Sequence, residues 1–225
     1  MKLAIVGYGK MGRMIEQLAP GYNFEVAAKI DAGDSIDGAS GCDAAIEFST
    51  PDTAVANVKA LAAAGVPVVC GTTGWFGELE DVRKVVEAGS GALVYSANFS
   101  IGVNVFTRVA AEAARLLANE PEYEAWAWEI HHSAKKDAPS GTLFKLVDAM
   151  KSAGYTRNID VSSNRAGAHP GTHEIGFDSA ADTITLRHSA RSREGFARGA
   201  LKAAQWVVGK KGVYEFSEVL FGRLG

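Results

Sequence analysis

The chain contains no apolar run near the roughly 20 residues that a membrane span requires, and Met1-Lys2-Leu3-Ala4-Ile5-Val6-Gly7 is too short for a secretory leader. A cytoplasmic protein with no membrane partner is therefore expected. Proline is scarce, with 6 in 225 residues, and neither internal repeats nor low-complexity segments occur, which excludes a large disordered, fibrous or solenoid portion. There are only 2 cysteines, Cys42 and Cys70, widely spaced and each in apolar surroundings. They read as small buried hydrophobes, with neither a disulfide nor a metal site expected. An excess of one charge is missing too: a formal net charge of −3 excludes a general nucleic-acid binder, which needs a clustered cationic surface. A small anion stays within reach, because two cationic side chains or a helix N-terminus hold a carboxylate whatever the total charge.

What the chain has is glycine, 25 of them, and enough hydrophobic residues, 47%, to bury a full-sized core. In the first hundred residues, short apolar runs at Leu3 to Val6, Phe24 to Ile30, Ala44 to Phe48, Val66 to Cys70 and Ala92 to Tyr95 alternate with helical segments such as Pro51 to Ala64. Runs that are apolar on both faces are strands covered on both sides by helices, so this half predicts an α/β fold, a doubly wound parallel sheet of the Rossmann type. The texture then changes. A helix over Val103 to Ala118 leads to a strand over Tyr123 to His131, in which Trp126, Trp128 and Ile130 alternate with Ala125, Ala127 and Glu129, and the tryptophans are expected in the core. A helix from Ser140 to Ala153 and β-like runs at Ile159 to Ser163, Thr172 to Phe177 and Thr183 to His188 predict a mostly antiparallel sheet in a second, smaller α+β domain. The tail is helical from Glu194 to Val208, with Phe196, Ala200, Ala203, Ala204 and Val207 on one stripe.

Gly7-Tyr8-Gly9-Lys10-Met11-Gly12 stands between the first strand and a helix, with the Gly-x-Gly-x-x-Gly spacing of a dinucleotide site. Gly7 permits a tight turn, Gly9 lets the backbone approach a pyrophosphate, and Gly12 allows close packing of helix on strand; the helix N-terminus supplies amides and a positive dipole. A glycine triplet alone is as readily an empty turn, but Asp31 stands 31 − 12 = 19 positions beyond Gly12, where an acid accepts hydrogen bonds from the adenosine ribose. Asp31 repels a 2′-phosphate and is followed by Ala32 and not by arginine, which favours NADH over NADPH; Lys29 softens that preference. Phe48-Ser49-Thr50-Pro51, Gly71-Thr72-Thr73-Gly74 and Ser96-Ala97-Asn98-Phe99 follow later strands, where doubly wound sheets bind ligands, and are expected to wall the nicotinamide half.

Chemistry concentrates in residues 129 to 142, Glu-Ile-His-His-Ser-Ala-Lys-Lys-Asp-Ala-Pro-Ser-Gly-Thr. Any one of these features has an ordinary structural explanation; their convergence in 14 residues beside a nucleotide domain points to a site. In an extended chain His131 and His132 point oppositely, so one faces the substrate while the other binds its edge or fixes a loop. Pro139 presets a helix start, Ser140 or Asp137 caps it, and Gly141 leaves the amides of Gly141 and Thr142 uncovered for a carboxylate. Lys135 and a histidine of near-neutral pKa are candidate acids.

With these motifs the chain resembles the 4-hydroxy-tetrahydrodipicolinate (dihydrodipicolinate) reductase family over nearly its whole length, most specifically in Glu129 to Thr142, with support from Gly7 to Gly12, Gly71 to Gly74 and residues 97 to 104. The resemblance implies hydride transfer from NAD(P)H to C4 of a cyclic imine dicarboxylate with loss of water, in the diaminopimelate route to lysine. By position His131 and Lys135 correspond to the proton donors, and His132, Ser140, Gly141 and Thr142 to substrate-binding residues. The resemblance also returns the C-terminal helix to the nucleotide domain, giving domains of residues 1–99 plus 194–225 and 100–193. The second domain's sheet builds a homotetramer in the family, and between Tyr155 and Arg193 this chain is shorter than the longer members, so a tetramer or a dimer is expected. The rival expectations are a related amino-acid dehydrogenase of aspartate or homoserine type, which lacks the segment 129–142, and a non-catalytic NADH-binding sensor, in which Lys135 is dispensable.

Overall fold

The computed structural model describes residues 1–222, which form two compact units: Met1–Ile101 with the chain from Glu194 onward, and Gly102–Arg193. The first unit is built on six parallel strands, β1 (Lys2–Val6), β2 (Glu25–Ile30), β3 (Ala44–Glu47), β4 (Val68–Cys70), β5 (Ala92–Tyr95) and β10 (Gly212–Glu215), in the order β10-β5-β4-β3-β1-β2. Leu3 and Ile5 of β1 face a core shared with helices α1 (Lys10–Leu18) and α6 (Glu194–Val207), while Ala4 and Val6 face a second core with α2 (Pro51–Ala63) and α3 (Leu79–Ala88). Both faces are thus covered, and the strands read as unbroken apolar runs for that reason. The order reverses between β1 and β3, so the glycine loop after β1 stands at the topological switch point, where open α/β sheets bind ligands.

The doubly wound sheet and the tail helix α6 are as expected, but β10 and the short helix α7 (Phe216–Phe221) lie beyond the last element expected from sequence. Helix α7 opens with a capping box in which Glu215 accepts the Ser217 amide at 2.8 Å and Glu218 accepts the Glu215 amide at 2.7 Å. Glutamate is not one of the residues whose presence marks a helix start, so the signal is silent in sequence.

The second unit has four strands, β6 (Glu124–His131), β7 (Ile159–Arg165), β8 (Thr172–Asp178) and β9 (Thr183–Ser189), in the order β7-β6-β8-β9, with helices α4 (Ile101–Leu116) and α5 (Gly141–Ser152). The sheet is mixed: β6 pairs antiparallel with β8, and β8 with β9, but β6 and β7 are parallel because α5 carries the chain back between them. The tryptophans are a correction. Ala125, Ala127, Glu129 and His131 are the buried side of β6, whereas Trp126, Trp128 and Ile130 are half-buried on the other face. Residues of α4 and α5 such as Phe106, Ala110, Leu143 and Leu146 approach closely enough to need alanines beneath them. Trp126 lies flat across Gly176 of β8, where a Cβ would come within 2.1 Å of the indole.

Candidate active site

Each glycine of the first loop has a distinct spatial reason. Gly7 has φ +88°, and a Cβ there would stand 2.1 Å from the Phe48 carbonyl; one on Gly12 would stand 2.4 Å from the Gly7 carbonyl. Gly9 is the N-terminal flank of α1, offers no side-chain cap, and has nothing within 4 Å of a built Cβ. The loop therefore encloses an open, cap-free helix start, which fits a pyrophosphate. Lys10 is exposed and Met11 packs on the core beside it.

At the end of β2, Asp31 is exposed, and its amide donates to Asp34 Oδ2 at 2.9 Å. Lys29 is not a free cation: its ammonium is paired with Glu16 and lies 5.0 Å from the centre of the Tyr8 ring, and the Tyr8 hydroxyl donates to the same carboxylate. Glu16, on α1, was not singled out in sequence, since nothing local shows that one helical turn faces β2.

The expected wall residues divide. Gly71, Thr73, Ala97 and Asn98 are exposed or half-exposed, and Gly71 lies against the Phe48 ring, 2.1 Å from where a Cβ would be. Thr72 is buried, its Oγ1 accepting the Ser49 amide at 2.9 Å. Ser96 is buried and donates to Glu215 Oε1 at 3.2 Å, while Phe99, 2% exposed, packs against Phe216 with ring centres 4.8 Å apart and planes inclined at 42°. The side chains of Ser96 and Phe99 are thus turned into the core, and only their backbone can contribute to a surface. Glu47, at the end of β3, is fully buried and accepts the Ser49 amide at 3.0 Å, the Ser49 hydroxyl and the Cys70 thiol at 3.0 Å. Burial, followed by the charge of Glu47, pushes the Cys70 thiol well up, so it stays protonated.

In the second unit the segment 129–142 folds as a strand end, a turn and a helix start. His131 is buried on the helix-covered side of β6, and His132, just past the strand, is half-exposed. Lys135 donates to both oxygens of Asp137, at 2.8 and 2.9 Å, and this hydrogen bond is the main cause of the lowered Asp137 pKa. Ser140, not Asp137, caps α5: its Oγ accepts the Leu143 amide at 3.2 Å. At 2% exposure, with its hydroxyl also engaged by Glu129, Ser140 has no surface to offer a ligand. Gly141 is exposed, with nothing near a built Cβ, and Thr142 is half-exposed beside it.

Beneath this surface lies a network that sequence did not show. Glu129 is fully buried, and its Oε1 accepts the Ser140 amide at 2.8 Å, Ser163 Oγ at 3.0 Å and Arg165 Nη2 at 2.8 Å. Oε2 accepts the Ser140 hydroxyl and stands 3.3 Å from His173 Nε2 and 3.5 Å from His131 Nδ1. Burial alone would raise the Glu129 pKa, but these donors outweigh it and hold it at about 2. Burial pushes His173 down to about 4 and lowers His131, whose pKa Glu129 partly restores while Lys135 and Arg165 depress it. The donor atoms of Glu129, His131 and His173 lie within 4.8 Å of one another, close enough for a metal ion. Arg165, Ser140 and Ser163 already donate to the carboxylate, which gives Glu129 a hydrogen-bonded and charge-paired setting.

Two family models match the chain, dihydrodipicolinate reductase N-terminus over residues 1–99 and C-terminus over residues 102–220. The 4-hydroxy-tetrahydrodipicolinate reductase of Christiangramia forsetii is 34% identical over 98% of both chains. That of Methanoregula boonei is 39% identical over 79% of this chain and 74% of its own. In fold, dipicolinate-bound dihydrodipicolinate reductase from Paenisporosarcina sp. TG-14 matches with a TM-score of 0.83 at 20% identity, over 96% of this chain and 97% of that one. Aspartate dehydrogenase from Thermotoga maritima matches less closely, with a TM-score of 0.53 at 11% identity over 93% and 97%. With both halves matched by models of one reductase and curated relatives matched across most of the chain, the chain belongs to the dihydrodipicolinate reductase family.

Proposed function

We propose that the chain reduces 4-hydroxy-tetrahydrodipicolinate to tetrahydrodipicolinate, with residues 1–99 and 194–225 holding the nucleotide and residues 100–193 the cyclic dicarboxylate. The observation that carries the assignment of residues is the grouping of His131, Lys135 and the open helix start at Gly141 within one strand-turn-helix of the second unit. A reduced nicotinamide supplies the hydride that reaches C4 of the imine as water is lost. The chain's own residues do the rest. The α5 start, through Gly141 and Thr142, and His132 bind the carboxylates; Lys135 stabilises negative charge building on the ring nitrogen, and His131 or Lys135 delivers the proton. Gly7 to Gly12 cradle the pyrophosphate and Asp31 takes the ribose hydroxyls.

NADH is the preferred cofactor in this reading, because the one cation near Asp31 that sequence offered to a 2′-phosphate, Lys29, is engaged by Glu16. A dehydrogenase of aspartate type lacks the segment 129–142, and a sensor has no need of Lys135. The test is NADH oxidation with the enzymatic condensation product of pyruvate and aspartate semialdehyde. Wild type turns over, and Lys135→Ala loses about 10²-fold or more in kcat, the scale of a positioned acid. An inactive wild type that still binds NADH would favour the sensor.

A further inference from the structure

We propose that Glu129 is a positioning residue for this reaction: it holds the His131 imidazole with its proton on Nδ1, so that Nε2 is the nitrogen that exchanges a proton with the substrate. The inference rests on the assignment of His131 as a proton donor and goes beyond it by naming the atom and the group that selects it.

The period of the strand places Glu129 and His131 on the same side of β6, and cross-strand register sets Ser163 and His173 opposite Glu129 and Arg165 opposite His131. The two carboxylate oxygens are used differently. Oε1 takes three donors, from Ser140, Ser163 and Arg165, and this anchors the carboxylate. Oε2 is turned to the imidazoles, at 3.3 Å from His173 Nε2 and 3.5 Å from His131 Nδ1.

His131 Nδ1 is buried and has no hydrogen-bond partner among the described residues. Oε2 stands 3.5 Å from it, so an unprotonated Nδ1 would set its lone pair beside a carboxylate lone pair, whereas a protonated one places its hydrogen beside a negative charge. Catalytic hydrogen bonds are commonly long in a ligand-free protein and shorten when substrate binds. The other ring nitrogen lies beside a glycine of the β8 approach, where no side chain competes for it. Gly171, with φ +137°, passes so close that a Cβ would stand 2.9 Å from Nε2. The charged and titratable groups around His131 are Glu129 on its own strand, His173 on β8, Arg165 on β7, and Lys135 and Asp137 in the following turn. Of these, Glu129 and Asp137 favour the imidazolium and the two cations oppose it, so loss of the Glu129 charge moves His131 titration to lower pH.

Nitrogen-15 NMR of the His131 ring in the wild-type protein, at a pH where it is neutral, should report the Nδ1–H tautomer. Glu129→Gln should show a mixed or Nε2–H tautomer, lose about 10- to 100-fold in kcat with substrate KM little changed, and shift the His131 limb of the pH profile downward. Glu129→Asp should recover part of the lost kcat. An Nε2–H tautomer in the wild type overturns the proposal even if neither variant folds, as does a folded Glu129→Gln with near-normal kcat. His131→Gln separates the two levels: undiminished kcat in that variant removes the donor assignment itself, whereas a loss there alongside an intact Glu129→Gln removes only the role of Glu129.

Discussion

Two buried side chains tie the stability of this protein to pH. His173 and Glu129 both titrate at lower pH in the folded state than in the unfolded chain, His173 at about 4 from 6.5 and Glu129 at about 2 from 4.5. The unfolded chain therefore binds more protons, and stability falls as pH falls, first between about 6.5 and 4 through His173, then between about 4.5 and 2 through Glu129. Each shift corresponds to about 3 kcal/mol at most. Urea midpoints at pH 7, 5 and 3 should decline in two stages, and His173→Gln should flatten the upper one; a midpoint unchanged from pH 7 to 4.5 would refute the assignment to His173. At the same scale, Glu16 pairs with the Lys29 ammonium, and releasing that cation tests the proposed cofactor preference. Glu16→Gln should raise the ratio of kcat/KM for NADPH to that for NADH by about 5-fold, the worth of one exposed charge contact. A ratio that stays the same or falls would show that Lys29 lies out of reach of the 2′-position.

Among the elements, α6 shows propensity overruled by packing, and α5 shows a cap that packing has also buried. Glycine inside a helix costs about 1 kcal/mol against alanine, so Gly199→Ala in α6 looks stabilising from sequence. In the fold a Cβ at Gly199 would stand 1.7 Å from the Phe99 carbonyl, on the chain just after β5. Gly199→Ala should destabilise the fold by about 3 kcal/mol or more, read as a sharp fall in the midpoint of thermal unfolding, because backbone and not a flexible side chain is in the way. Ser140→Ala removes the cap of α5 and one of the hydrogen bonds to Glu129, and should cost about 1 to 2 kcal/mol. Because the hydroxyl is buried, thermal stability should fall while substrate KM changes little; the reverse pattern would make Ser140 a ligand after all.

For the whole molecule, the face of the second sheet away from α4 and α5 carries a half-buried aromatic stripe. Trp126, Trp128 and Ile130 run down its centre between exposed Asp160, Ser162 and Asn164 on β7 and Thr185, Arg187 and Ser189 on β9. A central aromatic stripe with a polar rim has the composition of a protein interface, and a second copy of this chain is the partner we propose. Wild type should sediment as more than one chain in analytical ultracentrifugation, and Trp128→Glu should sediment more slowly. Identical values for both, at the mass of one chain, would leave the stripe without a homotypic role.

The residues whose meaning is local were legible in sequence. Glycines 7, 9 and 12, the βα alternation of the first hundred residues and the run from Glu129 to Thr142 are each read within a few turns of backbone, where periodicity and dihedral preference act. The tertiary structure alone decided which side of β6 is covered, because a period of two defines two faces without saying where α4 and α5 will pack. It also brought Ser163, Arg165 and His173, between 34 and 44 residues along the chain from Glu129, onto one carboxylate. That juxtaposition follows from strand register, and register is set by the burial of whole faces and not by any residue's neighbours in sequence.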